Sequence, residues 1–113
     1  MAVIHIIRAP ATPEQISEMR QVFEEFIKLA VDIEREILAG GGSRHADCEN
    51  LLLEDGSKQQ NIWGADWYPE SSEVRFDALI NIRPSQNNPA MTILDSAIRD
   101  TVEKIARKLM EKP

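Results

Sequence analysis

Two alternating runs, Asn61 to Tyr68 and Val74 to Arg83, flank the short connection Pro69-Glu70-Ser71-Ser72. They limit the fold more than any other stretch. Strand side chains alternate between faces, so slipping a hairpin by one residue moves a whole apolar set from core to solvent. A two- or four-residue loop within 69–72 pairs Trp67 with Val74, Ala65 with Phe76 and Trp63 with Ala78. All six then share one face, while Asp66 meets Arg75 on the other. A one-residue slip would turn both tryptophans outward, so Trp63 and Trp67 read as core rather than as a ligand-stacking pair. The second run continues with Ile80 and Ile82 on the core side, and with Asp77, Leu79, Asn81 and Arg83 beside Arg75 on the open side.

The remaining elements are read around this hairpin. The β-branched run Val3 to Arg8 is a first strand, apolar on both faces and so expected inside a sheet. Thr12-Pro13-Glu14-Gln15 is a helix start: Thr12 caps, Pro13 suits the first helical position, and Gln15 completes a capping box. Ile16, Met19, Phe23, Phe26, Ile27, Ala30, Ile33 and Ile37 recur at helical spacing. They predict one helix from Pro13 to Leu38, about 40 Å long at 1.5 Å per residue, stopped by Gly40 or Gly41. Leu51, Leu52 and Leu53 suggest a strand over 49–54, closed by Asp55-Gly56. Asp95 caps a last helix, Ser96 to Glu111, striped by Ile98, Val102, Ile105 and Leu109. The expected fold is a single α+β domain of order β-α-β-β-β-α, a four-stranded, mainly antiparallel sheet with two helices packed on one face. A chain of 113 residues suits one domain.

Charge and cysteine content narrow the class. The net charge is −6, and the basic residues cluster only in Lys104, Arg107, Lys108 and Lys112, where they complement a helix dipole. Nucleic acid, which demands several phosphate-neutralising side chains, is therefore not an expected partner. One cysteine can form neither an intramolecular disulfide nor a Cys-only zinc site, which points to a reducing cytoplasm. No apolar run suits a signal peptide or a membrane span, so no membrane partner is expected.

Two places could carry chemistry. The first follows Gly40-Gly41-Gly42, where His45, Asp47, Cys48 and Glu49 crowd together. On a strand, His45, Asp47 and Glu49 would point the same way and could hold a divalent metal with an open position, the plan of a small hydrolase. The competing reading is a polar segment entering a strand, with Cys48 a small buried residue. No H-E-x-x-H or C-x-x-C pair and no cofactor motif is present. The glycines follow a predicted helix end, the wrong order for a phosphate-cradling loop. The second place is the open hairpin face: Arg75, Asp77, Leu79, Asn81 and Arg83 opposite Ile62 and Asp66. Arg83 and Asn81 could hold an anionic metabolite, whereas Ile62 with Leu79 forms an apolar patch suited to a homodimer contact.

Three stretches carry a resemblance: Leu38-Ala39-Gly40-Gly41-Gly42 with His45-Ala46-Asp47-Cys48-Glu49, then Ile62-Trp63-Gly64-Ala65-Asp66-Trp67-Tyr68-Pro69, then Leu79-Ile80-Asn81-Ile82-Arg83-Pro84 with Gln86-Asn87. On these the chain resembles a small uncharacterised bacterial family of single-domain proteins, a domain of unknown function. The resemblance spans nearly the whole length and implies no activity. The leading expectation is a non-catalytic cytosolic binding or interaction protein that acts as a small homo-oligomer. The alternatives are a metal-dependent hydrolase using His45, Asp47 and Glu49, and a binder of an anionic metabolite through Arg83 and Asn81.

Overall fold

The computed structural model describes residues 2–111. The element order is β1 (His5–Ile7), α1 (Pro13–Met19), β2 (Ile27–Asp32), β3 (Ile37–Gly40), α2 (His45–Glu54), β4 (Ile62–Tyr68), β5 (Glu73–Arg75) and α3 (Ser96–Met110). The five strands form one antiparallel sheet in the order β1-β3-β2-β4-β5. The α+β class stands, with one strand and one helix more than expected. Among the described residues no helix is long and apolar enough to cross a membrane.

The largest departure lies in the predicted long helix. Its start is as expected: the Thr12 hydroxyl accepts from the Gln15 amide at 3.1 Å, and the Gln15 side chain accepts from the Thr12 amide at 2.9 Å. The helix ends at Met19, and the Arg20 guanidinium folds onto the Glu24 carbonyl at 2.8 and 2.6 Å. The chain then enters the β2–β3 hairpin. Ile27, Ala30, Ile33 and Ile37 fit helical spacing, yet Ile27–Asp32 is also a near-continuous apolar run, the pattern of a strand buried on both faces. Ile27, Leu29 and Val31 enter one core cluster, and Ala30 enters the other. Asp32 shapes the turn, its Oδ1 accepting from the Glu34 and Arg35 amides at 2.9 and 3.0 Å.

Two further expectations are corrected. β1 is an edge strand and not interior. Residues 49–54 belong to α2 and not to a strand. Consequently Gly40 to Gly42 follow a strand, and Gly41, at φ +106°, packs tightly against the Val3 carbonyl and Met19. α1 and α3 do share one face, over a core that includes Leu29, Trp63, Trp67, Val102 and Leu109. The third helix, α2, covers the opposite face with Cys48 and Leu52 against Ala30, Ala39 and Ile62.

The β4–β5 register is the expected one, with Trp67 opposite Val74 and Asp66 opposite Arg75. However, β5 ends at Arg75 and the chain leaves the sheet, so the expected strand to Arg83 is not formed. The Gly64 amide instead donates to Asn81 Oδ1 at 2.8 Å, and Asn81 Nδ2 donates to the Gly64 carbonyl at 3.0 Å. Arg83 Nη2 donates to the Ile62 carbonyl. Side-chain groups thus replace a neighbouring strand along this edge. The close approach explains the glycine: a Cβ at residue 64 would lie 2.5 Å from Ala78 Cβ and 3.0 Å from Ile80 Cγ1. Gly64→Ala should therefore destabilise the fold by about 1–3 kcal/mol, the usual cost of overpacking. Urea unfolding checks this, and an unchanged midpoint would show that the 78–80 segment yields freely.

Candidate functional site

α2 sets His45, Cys48, Glu49 and Leu52 at helical spacing, and all four are buried against the sheet. His45 Nε2 lies 2.7 Å from Asp66 Oδ1 and 3.2 Å from the Ala65 carbonyl oxygen. A carboxylate and a carbonyl oxygen both accept, so Nε2 is the donating nitrogen of this contact. Asp66 lies directly across from Lys28 on one side and Arg75 on the other. Its side-chain partner is nevertheless His45, while Arg75 meets Glu73 at 3.3 Å and stacks 4.3 Å from the Tyr68 ring centroid. This row continues through Phe26, 5.4 Å from Tyr68, to Phe23, 4.7 Å from Phe26. Sequence periodicity missed it because both phenylalanines were assigned to a helix that is not formed there.

The expected cluster of His45, Asp47 and Glu49 is not gathered. On a helix, residues 45 and 49 share a face and residue 47 leaves it. Asp47 instead bonds to Arg44 at 2.7 Å and to the Ser43 hydroxyl at 3.3 Å. Among the described residues no three His, Cys, Asp or Glu side chains are placed to hold a metal ion. The glycines do run from a strand into a helix, the order a phosphate loop requires. Asp47, however, places its own carboxylate in the first turn of α2, and Gly41 and Gly42 are buried. Cys48 is inaccessible, donates to the Lys28 carbonyl at 3.5 Å, and burial pushes its thiol up to about 11.

Arg83 and Asn81, the expected anion-binding pair, have their donors committed within the fold. Arg83 donates through Nε to the Ile80 carbonyl at 2.9 Å and through Nη1 to the Gln59 carbonyl at 2.9 Å. Its Nη2 serves the Ile62 carbonyl and lies 3.4 Å from Glu49. Burial pushes Glu49 up, partly offset by the Arg83 charge, and burial pushes Arg83 down. Asn81 is wholly buried, and Nδ2 also serves the carbonyls of Phe76 and Met91 at 2.9 and 3.0 Å. Asn88 completes the knot, its Nδ2 donating to the carbonyls of Asn81, Ala90 and Thr92 at 2.7, 3.0 and 2.9 Å.

What the knot exposes differs from expectation as well. Ile62, expected on the open face, is fully buried. Leu79 is 72% exposed, and with it Ile82 at 44%, Met91 at 44% and Leu94 at 51%. Their backbones are tied together: the Ala78 amide donates to the Met91 carbonyl at 3.1 Å, and the Leu94 amide to Asn88 Oδ1 at 2.9 Å. Asp77 is exposed beside them.

Two measurements check these roles. Arg83→Met removes donors from three carbonyls and strands Glu49, so it should cost about 3–5 kcal/mol, and Glu49→Gln, which keeps an acceptor, less than half of that. Equal losses in urea unfolding would reduce Arg83 to an ion-pair partner. Cys48 should react with a thiol reagent only as fast as the protein opens; rapid modification of the native protein would contradict its burial.

No curated protein and no solved structure matches the chain. A family model does, over residues 5–109, nearly its whole length, and its description is protein of unknown function (DUF5674). The chain accordingly belongs to the DUF5674 family, a domain of unknown function, and its matched residues have an α+β fold.

Proposed function

We propose that the protein is a non-catalytic, cytoplasmic binding protein that works as a homodimer joined through Leu79, Ile82, Met91 and Leu94. One observation carries this reading: Leu79 is 72% exposed on an irregular segment whose backbone is held by the buried Asn81, Arg83 and Asn88. An exposed leucine on a mobile loop means little. One on a segment tied by backbone bonds to three other exposed apolar residues offers a fixed apolar surface, the kind of feature that marks protein contacts. Pre-ordering also lowers the entropy lost on association. A two-fold contact uses the same patch twice, so a modest patch doubles its buried apolar area without a second recognition surface.

The alternative functions have less support. The metal-dependent hydrolase needs His45, Asp47 and Glu49 together, and α2 separates them. The anion site needs donors that Arg83 and Asn81 spend on backbone carbonyls.

Sedimentation velocity tests the proposal at about 100 µM, where a micromolar contact is mostly formed. Wild-type protein should sediment at twice its 12.8 kDa chain mass. Leu79→Lys should sediment at the single-chain mass with its thermal midpoint essentially unchanged. A wild-type monomer at that concentration, or a Leu79→Lys dimer, would overturn the proposal.

A further inference from the structure

A groove of about 950 Å³ lies on the α1–α3 side of the molecule and shares no residue with the apolar patch just described. Its volume is at the upper end of the range that small-molecule sites occupy. Pro10, Ala11, Ile16, Pro69 and Met110 give it an apolar lining. Its walls are tied to one another. The Ala11 amide donates to the Leu109 carbonyl at 2.8 Å, joining the 10–13 turn to the end of α3. Arg20 holds the Glu24 carbonyl and meets Glu70 at 3.2 Å, joining the end of α1 to the β4–β5 turn. The groove is therefore preformed, so a ligand pays little to order it.

The charges among its lining residues are unbalanced. Arg20, the one cation among the described lining residues, already serves the Glu24 carbonyl and the Glu70 carboxylate. The Glu24 carboxylate has no ion-pair partner among the described residues. Glu111 shares Arg107 with Glu103, at 3.1 and 2.9 Å respectively. Among the described lining residues, two carboxylates are thus set against one committed arginine and a share of another. From this the geometry points to a binding site for a small amphipathic cation, an ammonium carried on an apolar body. The body lies against Ile16, Pro69 and Met110, and the ammonium meets Glu24 and Glu111. Met110, unbranched and polarizable, suits an apolar body that need not fit one rigid shape. A carboxylate of the same length would meet like charge, and such juxtaposition discriminates strongly.

The test is a ¹H–¹⁵N NMR titration with n-octylammonium chloride, and with sodium octanoate as the anion of equal chain length. Octylammonium should shift the Ala11, Ser17 and Glu111 amides saturably and bind about tenfold tighter than octanoate, the factor expected of one unneutralised charge contact. Ser17→Trp, at an exposed lining position that leaves the core intact, should abolish the saturable shifts. Glu24→Gln should cut the preference for octylammonium to about threefold or less without preventing binding. The proposal is overturned if the wild type shows no saturable shifts at these amides, or no preference between the two probes. It is equally overturned if Ser17→Trp binds as the wild type does, or if Glu24→Gln leaves the preference intact.

Discussion

The Asn81 side chain bonded to both backbone groups of Gly64 is the interaction on which the rest of this structure depends. β4 lies between β2 and a β5 that pairs only to Arg75. Beyond that point its outer edge is still buried, and a buried backbone group without a partner costs about 1–3 kcal/mol. Asn81 closes the edge at Gly64, and Arg83 closes it at Ile62. A carboxamide carries one acceptor and two donor hydrogens, so it can copy the hydrogen bonding of a strand residue while its own backbone goes elsewhere. That freedom lets the 76–94 segment leave the sheet, wrap around Asn88 and hold Leu79 outward.

The same economy of polar groups governs the opposite face. α2 has a weakly apolar inner stripe, and its His45 and Glu49 are one helical turn apart. Each is matched by a polar partner across the layer, Asp66 on β4 and Arg83 on the wrapped segment. Arg83 joins the two systems, reaching Ile62 and Glu49 while its guanidinium carbon lies 4.7 Å from the Trp63 ring centroid. A buried ion pair of this kind is a poor source of net stability, because desolvation offsets its attraction. Its value is positional: α2 has one register on the sheet in which both pairs close.

How much was legible in the sequence follows from this chemistry. The α1 cap, the α3 cap at Asp95 and the Trp67–Val74 register were all readable, because each rests on local spacing and side-chain type. α2 was not, since two of the four positions on its inner stripe, His45 and Glu49, are polar and the leucine run 51–53 imitates a strand. The β2–β3 hairpin was hidden by apolar residues that satisfy helical and strand periods at once; only the third-dimensional fact of burial on both faces separates them. Of the candidate site residues, Leu79 is exposed, but on an irregular turn and not on the strand whose alternation placed it outward, and the same alternation misplaced Ile62 and Ile82. Asn81 and Arg83 were placed on an open face because nothing local reveals that β5 stops and that side chains must then finish β4. The groove beside Ile16 and Met110 joins segments almost a hundred residues apart, beyond the reach of any local pattern.

Amide hydrogen exchange at Gly64, measured by NMR in the native protein, tests the central claim most directly. If Asn81 stands in for a strand, the Gly64 amide should be protected as strongly as that of Asp66, which β5 pairs in the ordinary way. Exchange at Gly64 as fast as at an open sheet edge, with Asp66 still protected, would mean that the carboxamide does not close the edge and that the wrapped segment is held by other means.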